Sequence, residues 1–198
     1  LEPHGSPLLI FTCKRENYLR ETLTDVLKYI PADCSIGCPV IVSQDGQNAE
    51  VSQVIAEFQD KFGAIQLIHL HHKSALRKNA NTYQALAIHY GWALRQVFDG
   101  HAVASKTARL PQRILILEED IHISPDFFDY FKAMVPILEG DSSLFAVSAF
   151  NDNGYKGMVQ DATRVLRSDF FPGLGWMLTR KLWTNELQLK WPNGYWDD

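Results

Sequence analysis

The chain has 198 residues, 46% of them hydrophobic, which is enough to bury a sizeable core in a single domain spanning 1–198. Its formal net charge of -4, with Lys and Arg scattered rather than gathered into a stripe, argues against a nucleic-acid partner. No apolar run approaches the roughly 18 residues that cross a bilayer, and no signal or transit segment opens the chain. The absent initiating Met and the ending on Asp198 predict a piece cut from a longer protein, shortened at its carboxyl end.

In chain order, Pro7 to Cys13 ("PLLIFTC") is a short apolar run that suits a buried strand. Leu19, Leu23, Val26, Leu27 and Ile30 then recur at helical spacing until Pro31 stops the pattern. The unit repeats: Pro39 to Asp45 reads as a strand, and Val51, Val54, Ile55, Phe58 and Phe62 share one helical face. A third strand is expected over Ala64 to Leu70, a long helix over Asn79 to Phe98, and a fourth strand in "RILILEED". Alternating strands and helices predict a mainly parallel sheet with helices on both faces. Beyond Pro125 the order loosens. "PDFFDYFKAMVPIL" predicts a helix with Pro in its first turn, Leu144 to Phe150 a strand, "NDNGYKG" a turn-rich loop, and about Thr179 to Leu187 a last helix.

In an open parallel sheet, ligands bind outside the carboxyl ends of the strands. Three polar groups fall there: Cys13-Lys14-Arg15 after the first strand, Ser43-Gln44-Asp45 on the second, and Glu118-Glu119-Asp120 on the fourth. Clustered carboxylates on a rigid strand end can hold a hard divalent cation, whose remaining positions phosphate and water can fill. Each group also has a plain structural reading. Acids at strand ends are commonly just solvated, Arg15 suits a surface, and Asp45-Gly46 is a turn signal. His69 to His72 ("HLHH") stay outside the site, because no Cys or carboxylate completes a zinc set around them. His89, between Ile88 and Tyr90 in a helical pattern, reads as a packed or surface histidine. Cys34 and Cys38 lack a second Cys/His pair for zinc, and ordinary thiols or a disulfide both remain open.

The ordered blocks "IFTCKR", "VIVSQDG", "AIHYGWALRQVF", "LILEEDIHISPDFFDYF", "VSAFNDNG", "RSDFFPGLGWML" and "LKWPNGYWDD" resemble the N-acetylglucosaminyltransferase I family, glycosyltransferase family 13. The resemblance runs from about Leu8 to the last residue. It implies a GT-A fold and an inverting transferase that uses UDP-N-acetylglucosamine and Mn2+. It also implies a mannose-terminated glycoprotein glycan as acceptor, and residence in the Golgi lumen as a type II membrane protein whose anchor this chain lacks. Residue by residue, it implies Asp120 as metal ligand, Glu118 at the donor sugar, Glu119 at the ribose, Arg15 and Asp45 at the nucleotide, and His89 at or near the uracil. Asp197 is implied as catalytic base, with Asp198 as the alternative.

The chain departs from that pattern in three ways. Glu119 stands where the N-glycan enzymes carry Asp, which lengthens the middle contact by a methylene. Gly46 stands where a Cys is expected, so Cys13 cannot make the family's disulfide, and a pairing with Cys34 or Cys38 instead stays open. The family also continues past "WDD", so the 198 residues alone are expected to show little transfer. Two other readings stay open: a protein O-mannose N-acetylglucosaminyltransferase, and a sugar-nucleotide or glycan-binding module without catalysis. A phosphoryl-transfer domain of the response-regulator kind is disfavoured, because Lys14 and Arg15 stand where it needs an acid.

Overall fold

The computed structural model describes residues 6–35, 38–63, 65–73, 81–102, 110–171 and 173–192. Four strands run parallel in the order β3-β2-β1-β4: β1 (Leu8–Thr12), β2 (Val40–Asp45), β3 (Leu67–His72) and β4 (Arg113–Glu118). β6 (Trp176–Thr179) adds antiparallel to β4, and the two-residue β5 (Val147–Ser148) pairs antiparallel with β6. The strands β1, β2 and β4 are buried almost throughout. Continuous apolar runs, not alternation, suit strands covered on both faces.

Helices supply that cover. α1 (Glu16–Tyr29), α2 (Ala49–Phe62) and α4 (Phe127–Gly140) pack on one face, around Leu8, Ile10, Leu23, Val42, Ile55 and Phe131. α3 (Thr82–Phe98) and the helical run after β6 pack on the other, around Leu9, Phe11, Tyr90, Leu94, Trp176 and Trp183. That run comprises α5 (Arg180–Leu182), a π-helical turn (Trp183–Leu187) and α6 (Gln188–Lys190). α2 starts where the Asn48 side chain accepts from Val51 N at 2.7 Å, and α3 where Asn81 accepts from Tyr83 N at 3.1 Å. Each cap satisfies an amide that the helix itself leaves unpaired. Trp191 donates from Nε1 to Ala87 O at 2.7 Å. Only a glycine allows that approach, because a Cβ on Gly91 would lie 2.5 Å from Trp191 Cδ1.

Several expectations are corrected here. α3 begins at Thr82; positions 79 and 80 lie outside the described residues. The strand expected over 144–150 is realised only at Val147–Ser148. Trp176–Thr179, where no strand was expected, pairs with β4 as β6, because its apolar residues close the core beside Ile114 and Ile116. Between β5 and β6, residues 150–171 form neither strand nor helix and expose Tyr155, Met158 and Phe170. Cys13 has no disulfide partner; Cys34 and Cys38 bond to each other. The reason is topological: Cys13 follows the carboxyl end of β1, whereas Cys34 and Cys38 precede β2 at the amino ends, a strand length away.

Candidate active site

The strand order reverses between β1 and β4. After β1 and β2 the chain turns outward through α1 and α2 on one face, and α3 carries it back across the other face to β4. The crevice at this switch point is where an open α/β sheet receives a ligand. Both strands end there in polar residues.

Glu119 is the buried hub. Its Oε1 accepts from Arg15 Nε at 2.5 Å, and its Oε2 accepts from Cys13 N at 3.0 Å and from the Thr12 hydroxyl. The Thr22 hydroxyl of α1 donates to the Glu119 carbonyl at 2.7 Å. The Glu119 side chain is only 5% exposed, and a carboxylate so placed is tolerable because both oxygens are bonded. Arg15 also donates from Nη1 to Asp120 Oδ2 at 2.8 Å, and these carboxylates hold its guanidinium charged even more firmly than usual, the Glu119 bond most of all. Asp120 stays partly exposed, and its Oδ1 has no partner among the described residues.

Glu118 points to the opposite face. In the strand register Glu118, Phe11 and Ser43 lie side by side across β4, β1 and β2. Consecutive residues of α3 settle on that row. Tyr90 donates its hydroxyl to Glu118 Oε1 at 2.9 Å, and its ring stacks on Phe11 with centroids 3.6 Å apart. His89 Nε2 meets Ser43 Oγ at 2.8 Å, and its ring stands edge-on to Phe11. Burial pushes the Glu118 carboxyl up, opposed by the Tyr90 hydroxyl, while the Asp120 charge adds to the rise. Burial also pushes His89 down to about 4, so it is neutral near pH 7.

Asp45 closes β2 opposite His72, the last residue of β3. His72 Nδ1 lies 2.7 Å from Asp45 Oδ1, and the His72 ring stacks over His89 at 5.3 Å. The structure thus joins Arg15, Glu119 and Asp120 in one cluster, places Glu118 beside it, and links Asp45 to His89 through His72. Asp197 and Asp198 lie outside the described residues. Three contributors carry little signal in the sequence. His72 and its neighbours fit no zinc spacing, and the usable signal is a histidine and an aspartate ending adjacent parallel strands. Thr12 and Tyr90 carried no signal beyond their place in a buried strand and a helical face.

The sequence model of the GNT-I family matches residues 2–198. The alpha-1,3-mannosyl-glycoprotein 2-beta-N-acetylglucosaminyltransferase of Arabidopsis thaliana is 38% identical over 194 residues, which cover 96% of this chain and 41% of that protein. The chain therefore spans about two fifths of the length of this curated relative. Among solved structures, the mannosyltransferase PcManGT from Pyrobaculum calidifontis, in complex with GDP-Man and Mn2+, superposes with a TM-score of 0.57 at 15% identity. The match covers 91% of this chain and 46% of that one. GalNAc-T7 with UDP, GalNAc and Mn2+ gives 0.53 at 11% identity, over 90% of this chain and 35% of the other. These likenesses show that the fold is GT-A.

Proposed function

The chain belongs to the GNT-I family, and from that premise we propose that it is the donor-binding part of an inverting, Mn2+-dependent transferase. The reaction moves N-acetylglucosamine from UDP-N-acetylglucosamine to the 2-hydroxyl of a terminal mannose on an N-glycan. The whole protein would work in the Golgi lumen, on a type II membrane anchor. Among the described residues no helix is long and apolar enough to cross a membrane.

The observation that carries this reading is the Arg15–Glu119–Asp120 constellation at the switch-point crevice. Arg15, fixed by Glu119, offers a directed positive charge of the kind that recognises phosphate. A hard cation fits the donor set there. Asp120 keeps one carboxylate oxygen unengaged, and such ions bind through one or two carboxylates completed by phosphate and water. No group of three His, Cys, Asp or Glu able to hold a metal ion stands among the described residues. When bound, Mn2+ would neutralise charge on the departing diphosphate.

The chain's own residues then divide the work. Arg15 and Asp45 orient the nucleotide, with His89 as a neutral wall beneath His72. Glu118, raised by burial and held by Tyr90, lies beside the donor sugar. Glu119 serves the ribose side mainly through the order it imposes on Arg15 and the end of β1. Asp197, or Asp198 as its alternative, takes the proton of the mannose hydroxyl as the new bond forms at the anomeric carbon and the bond to UDP breaks. One such displacement inverts the centre.

Titration of UDP-N-acetylglucosamine into the chain, with and without Mn2+, tests the reading. Wild type is expected to bind more tightly with Mn2+, and Asp120→Ala to lose that increment. An increment unchanged in the variant would remove Asp120 from the metal site. Absence of any UDP-sugar binding by wild type would overturn the donor reading itself.

A further inference from the structure

We propose that His72 is a positioning residue that fixes the Asp45 carboxylate for the nucleotide, an inference that rests on the donor-site reading above. The two residues end neighbouring parallel strands in register, so their side chains emerge side by side. Nδ1 of His72 lies 2.7 Å from Oδ1 of Asp45, with side chains only 10% and 14% exposed. At that burial a hydrogen bond to a carboxylate is stronger and more directional than on an open surface. Asp45 Oδ2 has no partner among the described residues, and remains the oxygen that a nucleotide N–H or O–H would meet.

What makes His72 a mount and not merely a neighbour is how its own ring is held. It stacks on His89 with planes 9° apart, and His89 is itself pinned by Ser43. Trp92 flanks the same ring at 4.8 Å. The backbone closes the arrangement: Gly46 N donates to His72 O at 3.0 Å, and His71 Nε2 meets Gly46 O at 2.5 Å. Gly46 takes φ of +78°, a turn that brings the chain back onto β3 immediately after Asp45. Asp45 is therefore gripped on its side chain by His72, and the residue that follows it is held by both strand-end histidines. A binding carboxylate held this way does not have to be ordered when the ligand arrives.

The test uses UDP with Mn2+, titrated calorimetrically into the full chain, with thermal unfolding measured on every variant. His72→Leu is expected to weaken UDP about tenfold. His72→Asn, whose amide N–H stands near the place of Nδ1, should stay within about threefold of wild type. His72→Gln, whose amide reaches toward the place of Nε2 instead, should behave like Leu; if Leu does not fold, the Asn and Gln pair carries the same decision. In an Asp45→Asn background, loss of His72 should add little, because its effect acts through Asp45. Affinity unchanged in Leu and Gln, or Asn no better than Gln, would overturn the positioning role while leaving the donor reading intact. Wild type that fails to bind UDP would overturn both.

Discussion

Two carboxylates at the same edge of the sheet are held in different company. Beyond β4, Asp120 shares the Arg15 guanidinium with Glu119, charge against charge, and Arg15 is 44% exposed and open to screening. At the end of β2, Asp45 meets an imidazole that rests on a second, neutral imidazole, with both partners nearly buried. The rigidity of the first arm comes less from the visible ion pair than from the Glu119 oxygen bonded to Thr12 and to the Cys13 amide. That of the second comes from ring contacts and a hydrogen bond. The difference teaches that removal of a carboxylate should harm the first arm, and acid the second. α3 meets the second arm through His89, and through Tyr90 it holds Glu118, the residue that precedes the two acids of the first.

The largest effect is expected from Glu119→Ala. It strands the Thr12 hydroxyl and the Cys13 amide in a buried place and frees Arg15, at a cost of about 3 kcal/mol. Glu119→Gln keeps acceptors for Thr12 and Cys13 and should cost only about 1 kcal/mol. Urea unfolding of both variants checks this, and added salt should change the gap little, since the buried bonds are shielded from it. If Ala were no worse than Gln, the first arm would owe its order to surface charge after all.

Next comes the acid response of the second arm. His89 has a folded pKa of about 4 against an ordinary 6.5, so the unfolded chain takes up the proton first as pH falls. Its stability contribution is complete above about pH 6.5 and is lost as pH drops toward 4. That amounts to about 2 kcal/mol between pH 7.5 and 5. Glu118, raised by burial, acts with the opposite sign and is common to both proteins when wild type is compared with His89→Gln. The variant should keep a flatter profile over that range. Identical profiles would clear His89 as the acid-sensitive element.

Much of this frame was legible beforehand because it is local. β1, β2 and β4 show as unbroken apolar runs, and α1 and α2 as helical periodicity. Period-two alternation already separates Glu118 from Glu119 by face. What the two acids touch was not legible, because Thr12, Arg15 and Tyr90 reach them from other elements. The pairing of His72 with Asp45 needs the β2–β3 register, which no pattern within either strand contains. β6 escaped for the same reason: four residues far along the chain become a strand only because β4 has a free edge to offer.

The smallest effect is expected from Tyr90→Phe, and it decides whether the contacts that α3 makes through Tyr90 and through His89 are independent. The change keeps the ring that stacks on Phe11 and removes the hydroxyl that donates to Glu118. Loss of one such bond should cost about 1 kcal/mol. Glu118 then loses the strongest influence holding its carboxyl down, so its pKa should rise further, read from the side-chain carboxyl carbon in an NMR titration. The His89 contact with Ser43 lies on the neighbouring residue and faces another strand. The acid-sensitive part of the stability profile should therefore survive in Tyr90→Phe. If it disappears together with the Glu118 bond, α3 moves as one piece over β1, and its contacts with Glu118 and with the second arm respond as a single unit.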